Sequence, residues 1–404
     1  MGMRAPSVAE TASRIGKDGG TAMTTLTPAL DLDDTDALAK ADVEGWLRSA
    51  ALAGAQARAT MSSYEDVVGD RLSDLRPRSV VFVAGGGRAR RATAMVVAAV
   101  GARIGVPLVV SDGTPPWVGP LDVVVICGDD AGDPRLSEAT AAAVRRGAET
   151  VLVTPDEGPL RSAAAGRALF LAPRVSVREP NALMRYVAAA VCVLGALSSG
   201  AYRALLPDLA RLADALDEEA SRNHPRHEIF HNPAKSIASR ISGRRAVFTG
   251  VSALAVETAR HGGEVLFRVA GVVAASGDLP DVVAAGVQAA GASSEMPADY
   301  DPFFHDDQLD GPRPQPGVRV FVAAAPTGAL DADRRTAALD DVEILVAGGD
   351  DAASEPVPAV GPVSDRSSAR DPLLSEMVGE FESMTLLATR LEMAAAYLHL
   401  MGGD

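Results

Sequence analysis

Between Val123 and Glu138 the chain carries a loop, Cys127-Gly128-Asp129-Asp130-Ala131-Gly132-Asp133, whose position suits one chemistry and whose side chains suit another. Val123 to Ile126 is a β-branched run of the kind buried on both faces of a parallel sheet, and Pro134, Ser137 and Glu138 mark a helix start. A helix N-terminus after such a strand offers amide N–H groups and a favourable dipole to a phosphate. Asp129, Asp130 and Asp133 offer the opposite, because carboxylates repel a dianion. The loop is therefore expected to keep the scaffold of a phosphate site, with Cys127, Gly128, Asp129 and Asp130 as candidate ligand contacts, while losing the chemistry.

Gly85-Gly86-Gly87-Arg88 follows another strand-like run, SVVFVA, and is the second candidate. Glycines let a backbone approach a phosphate or sugar closely, and the next helix offers its N–H groups. The pattern is not G-x-G-x-x-G, since Arg90 stands where the third glycine belongs, so a tight strand-to-helix turn is expected rather than a dinucleotide site. Arg88, Arg90 and Arg91, with Arg260 and Glu264, could bind an anionic sugar or simply form a solvated helix face. His227-Glu228-Ile229-Phe230-His231 matches the H-E-x-x-H zinc pattern. Pro225 and Pro233 flank it closely and leave little room for the helix that both ligands need, so a polar linker is expected, with a metalloprotease as the rival. No G-x-S-x-G elbow supports nucleophilic hydrolysis.

These residues must be positioned by elements that the pattern supplies. Asp36 to Met61 has helical spacing through Leu38, Val43, Trp46, Leu47, Ala50, Ala53 and Ala57. From Arg78 the order is strand, glycine turn, helix, strand (VPLVVSD), then the strand, loop, helix and strand around Cys127. Short apolar strands interleaved with helices predict a doubly wound parallel sheet. Asn181 to Leu212 reads as apolar helix with breaks at Ser198 to Gly200 and at Pro207. NPAKSIASRISG, RRAVFTG and VSALAVETARHGG then repeat the helix, strand, turn and helix order, and VRVFVAAAP and VEILVAGG add strands. Leu374, Met377, Phe381, Met384, Leu387, Leu391 and Leu398 place one apolar stripe on a long amphipathic closing helix. Residues 1–30 read as a disordered leader in which Met23 is an alternative start to Met1, and Met296 to Pro316 and Asp350 to Arg370 as exposed or disordered insertions.

The chain has 404 residues, 47% hydrophobic but only 4% aromatic, so its cores must be built from Ala, Val and Leu in closely packed layers. A net charge of −15 disfavours nucleic acid as a partner. No charge-free apolar run of roughly eighteen residues suggests a membrane span. With Cys127 and Cys192 as its 2 cysteines and no compact apolar leader, a reducing cytoplasm is expected.

In this order the segments resemble the bifunctional phosphoglucose/phosphomannose isomerases of the SIS-domain family, and within them the shortened, divergent TobH-like branch. PLVVSDGTPPWVGPLDVVVI is similar to the family's strand, Leu-Pro-x-Trp-Val loop and next strand; RRGAETVLVTPDEGPL to its Arg-Gly-Ala strand; NPAKSIASRISGR to its Asn-x-Ala-Lys helix; and TRLEMAAAYLHLMGG to its closing helix. The resemblance implies an α/β fold of two SIS-type doubly wound parallel-sheet domains with helices on both faces and a long C-terminal helix. The domains would span 31–220, including the helical preamble, and 221–404.

It also implies a homodimer binding a sugar phosphate, without cofactor or metal, and aldose to ketose interconversion by a base that moves a proton through an enediolate. The family's functional positions are altered here. The serine- and threonine-rich phosphate loop is Cys127 to Asp133; the Pro-Arg pair falls at Pro180-Asn181, so the fixed cation is expected to be absent. The catalytic glutamate falls near Phe267 or Arg268, with Glu264 the nearest carboxylate about one turn early, and the ring-opening histidine falls near Ala284, between His261 and His305. The expectation is therefore a phosphosugar isomerase fold with weak or lost glucose-6-phosphate/mannose-6-phosphate isomerase activity. The alternative is a non-catalytic regulatory or scaffolding subunit of mannose or nucleotide-sugar metabolism.

Overall fold

Runs of β-branched residues form the inner strands of two parallel sheets. The computed structural model describes residues 30–292, 317–348 and 372–402. It begins with helices α1 (Thr35–Ala41), α2 (Trp46–Ala50) and α3 (Ala53–Val67), followed by β1 (Ser79–Ala84), α4 (Gly87–Val100), β2 (Leu108–Ser111), β3 (Asp122–Cys127), α5 (Pro134–Arg145), β4 (Glu149–Val153), α6 (Gly158–Ala164) and β5 (Leu169–Phe170). These strands make a 5-stranded sheet ordered β2-β1-β3-β4-β5. Helices α7 (Leu183–Gly200), α8 (Leu209–Arg222) and α9 (Pro233–Ile241) lead to β6 (Arg245–Gly250), α10 (Ala253–Ala270), β7 (Ala274–Ser276), α11 (Leu279–Ala292), β8 (Val318–Ala323), α12 (Ala329–Thr336) and β9 (Val342–Leu345). The second sheet, 4-stranded, repeats the order as β7-β6-β8-β9, and α13 (Pro372–Met401) closes the chain.

Side-chain alternation along each strand decides the layers. In the first sheet Val81, Val83, Val124, Ile126 and Leu152 face α5 and α6, while Val80, Phe82, Val123, Val125 and Val151 face a helical layer containing α4, α7, α10 and α13. In the second sheet Phe248, Phe321 and Ala323 face that same layer, and Val320 and Val322 turn to α11 and α12. One continuous apolar cluster thus joins both sheets across shared helices. β1 and β3 are buried at every residue, as central parallel strands require.

Several elements depart from the sequence expectation. The preamble is broken rather than continuous, because the Asp42 carboxylate accepts the amides of Trp46 at 2.6 Å and Leu47 at 3.2 Å, and Gly45 takes φ +70°. The breaks near Ser198 and Pro207 are present: Ser198 and Ser199 are left-handed, and Ser198 N donates to Leu75 O at 2.8 Å. Segment Glu179–Gly200 is, by length and composition, apolar enough to cross a membrane despite Glu179 and Arg185, yet most of it is buried in the shared layer. The largest departure is α13. Its expected single stripe gives way to burial on all sides from Ser383 to Leu398, because α10, α9, α8 and α2 surround it. The leader before residue 30, Met23, His305 and the whole of both expected insertions lie outside the described residues.

Candidate functional site

The order in which strands are added to the first sheet switches sides between β1 and β3, which run parallel, so the turn after β1 and the loop after β3 open side by side at the carboxyl ends of the strands, where doubly wound sheets bind ligands. Gly85 N donates to Cys127 O at 3.0 Å, joining the two segments. Gly86 and Gly87 have φ of +130° and +50°, which explains the glycines, and α4 starts without a side-chain cap. Gly128 gives Leu136 room to pack, since a Cβ there would lie 2.4 Å from Leu136 Cδ1. Cys127 is buried, which pushes its thiol up to about 12 and leaves it unreactive as a nucleophile.

The aspartates do more than repel an anion. Asp130 Oδ1 accepts from Gly132 N at 2.7 Å, and Asp133 Oδ1 accepts from Arg135 N at 2.8 Å as the N-cap of α5. Burial pushes the Asp133 carboxyl up, but hydrogen bonds and charge from Arg135 outweigh it and hold it below the usual carboxylate range. Arg135 also donates to Gly85 O at 3.0 Å, tying the loop to the glycine turn. The chain's own carboxylates therefore occupy amides that a bound anion would use.

Asp129 is paired with Arg185, which also donates to Tyr186 Oη at 2.5 Å. This corrects the expected loss of the cation. Asn181 does stand in its place, but Arg185, one helical turn onward on α7, brings a guanidinium to the loop. Asp129 and Arg185 line a cleft of about 400 Å³ together with Arg174, Ser176 and Glu179. Arg174 also pairs with Asp66 at 2.7 Å, and Glu179 with Arg268 at 3.4 Å.

Arg88, expected at the ligand, points inward instead. It is 5% exposed and meets His261 Nδ1 at 3.0 Å and Glu264 Oε2 at 2.9 Å. Arg91 pairs with Glu264 and Glu257, so the Glu264 carboxylate is held between the Arg88 and Arg91 guanidinium groups. Arg90, by contrast, pairs on the surface with Asp112 at 2.5 Å, and Arg260 pairs with Glu257 at 2.5 Å. Behind Arg88, His261 Nε2 lies 3.1 Å from Glu392 Oε1, and Asn181 Nδ2 donates to Glu392 Oε2 at 3.0 Å. Arginine only donates, so His261 accepts at Nδ1 and gives its Nε2 proton to Glu392. Burial pushes Glu392 up to about 8, against the opposing pull of Asn181 and Arg88. Burial, then the charges of Arg88 and Arg91, drive His261 well below its ordinary value. At neutral pH both are uncharged.

Glycines 85–87 and residues 127–130 thus lie side by side at one end of the sheet, with Asp129 the one of them that lines the cleft, whereas Arg88 and Glu264 belong to an ionic network between α4 and α10. Phe267 is exposed, Arg268 reaches Glu179, and Ala284 is exposed on α11, so neither position read for the base or the histidine holds an acid–base carboxylate or imidazole. His227 and His231 share no helix: only a single 3-10 turn, Ile229–His231, forms, and Lys235 donates to His227 O at 2.7 Å. Among the described residues no group of three or more His, Cys, Asp and Glu is arranged to hold a metal.

The sequence matches no family model and no curated protein. The fold does match solved structures. A hypothetical protein from Thermus thermophilus is 12% identical over 91% of this chain and 89% of its own, with TM-score 0.58. A candidate phosphosugar isomerase from Silicibacter pomeroyi is 15% identical over 87% and 96%, with TM-score 0.53. The C-terminal domain of glucosamine-fructose-6-phosphate aminotransferase from Francisella tularensis is 10% identical over 89% and 95%, with TM-score 0.52. The shared feature is the fold, parallel sheets of the SIS type flanked by helices.

Proposed function

We propose that the chain binds a sugar phosphate or another carbohydrate derivative in the cleft beside β3, as a phosphosugar isomerase-type protein whose glucose-6-phosphate/mannose-6-phosphate turnover is weak or absent. The observation that carries this is the exchange at the loop: Asp130 and Asp133 take up backbone amides, while Arg185 brings a cation to the cleft. An anionic group would then be held by side-chain guanidinium groups, Arg185 and Arg174, rather than by the loop backbone. Weak turnover follows from Glu264 being committed to Arg88 and Arg91, and from His261 and Glu392 being buried away from solvent. The proposal includes a cytoplasmic homodimer without cofactor or metal, and domains divided near residue 220.

A coupled assay on glucose 6-phosphate, mannose 6-phosphate and fructose 6-phosphate, run alongside calorimetric binding, tests it. Saturable binding with turnover far below about 1 per second is expected. Ordinary enzymatic rates overturn the loss of activity, and absence of binding to all three overturns the ligand class. The filled loop also favours a second reading, a non-catalytic regulatory or scaffolding subunit of mannose or nucleotide-sugar metabolism. That reading requires a partner enzyme whose rate changes on adding this protein.

A further inference from the structure

We infer that the cleft is selective for a sugar phosphate carrying a free amine, with the phosphate at Arg185 and Arg174 and the ammonium at Glu179. This rests on the proposed function and narrows its ligand. The four charged side chains lining the cleft, Asp129, Glu179, Arg174 and Arg185, sum to zero. A plain phosphosugar would bring uncompensated negative charge into that setting, whereas an ammonium beside the phosphate matches both signs.

Two of these groups are poorly matched within the protein, and they are of opposite sign. Arg185 is 8% exposed; its outer nitrogen is used by Asp129 and Tyr186, but its Nε is buried with no hydrogen-bond partner. A buried donor left unmade is costly, so the Arg185 guanidinium beside the cleft is not fully satisfied within the protein. Glu179 is the converse. Arg268 reaches its Oε2 only at 3.4 Å, from a side chain that is 67% exposed. Its Oε1 lies against the glycine turn, where a Cβ on Gly87 would stand 3.0 Å away. Gly87 therefore both adopts φ +50° and leaves space for this carboxylate at the cleft. Asp129 is less open to an ammonium than Glu179, because its pair with Arg185 is tighter than the Glu179–Arg268 contact, while Arg185 keeps its Nε outside that pair. The volume of about 400 Å³ falls within the range of small-molecule sites.

Titration calorimetry of the full chain at about pH 6.5, where the amine is protonated, would compare glucosamine 6-phosphate, glucose 6-phosphate and N-acetylglucosamine 6-phosphate. The amine is expected to bind on the order of tenfold more tightly than the other two, as one partly exposed charge pair allows. Glu179→Gln, at an exposed position that leaves the melting temperature unchanged, is expected to bring the three affinities together. Equal binding of all three, tighter binding of the N-acetyl compound, or a preference that survives Glu179→Gln overturns the amine assignment while leaving the proposed function standing. Binding of none of the three overturns both.

Discussion

A glutamic acid that keeps its proton at neutral pH is a stability device as well as a local curiosity, and Glu392 has a pKa of about 8. The unfolded chain releases that proton near pH 4.3, so between about 4.3 and 8 only the folded state holds it. The stability Glu392 contributes is whole below that window and declines as pH rises through it. His261 acts in the opposite sense: it stays neutral in the fold, so its contribution is lost as pH falls below its ordinary 6.5. Between about pH 6.5 and 8, Glu392 alone of this pair acts. Glu392→Gln, which cannot titrate, is expected to flatten the loss over that interval. Its advantage over wild type should grow from near zero at acid pH to a few kcal/mol, at most about 5, at pH 9. Urea denaturation from pH 5 to 9 checks this; parallel curves for the two proteins would show that Glu392 ionises normally in the fold.

At the scale of elements, the chain order was readable because strands such as Val123 to Ile126 are compact β-branched runs bounded by glycines. Helix breaks at Ser198 and Pro207 were readable for similar reasons. What escaped was the surroundings of α13. Thr385 and Thr389 look polar, but their hydroxyls return to the carbonyls of Phe381 at 2.9 Å and Thr385 at 3.2 Å, so they can be buried without another element's help. Arg390 and Glu392 were the available signal, because charges inside an apolar run need partners: here Glu219 for Arg390 at 2.6 Å, and Asn181 with His261 for Glu392. Arg185, in the apolar α7, was the same signal for the cleft. The site was legible as two loops but not as side-chain directions, since sequence alone did not show that Arg88 turns inward. A tight junction also follows at β6. A Cβ on Gly250 would sit 2.3 Å from the backbone carbon of Ala255, so Gly250→Ala must move α10 away from the sheet. The expected cost is about 2–4 kcal/mol, read as a lower midpoint in denaturant; an unchanged midpoint would mean that the strand and helix are not so closely packed.

For the whole molecule, the decisive fact is that two sheets with the same strand order share a single apolar interior. Chains cut near residue 222 would expose the inner faces of β1, β3, β6 and β8 and the helices that cover them. Residues 30–222 and 223–404, made separately, are therefore expected to lack cooperative unfolding transitions and to regain them on mixing. Circular dichroism melts of each piece and of the mixture decide it, and two independent sharp transitions would show that the interior is divisible. The self-capped loop also limits what its backbone is free to hold. Asp133 caps α5 and pairs with Arg135, which ties the loop to the glycine turn; a serine at 133 would keep a cap of similar strength and lose only that ion pair, and Asp130 would still hold its amide. One exchange at 133 therefore frees no loop amide for an anion. The loop behaves as a latch closed at two points by its own side chains, so that opening it to a ligand takes more than one substitution.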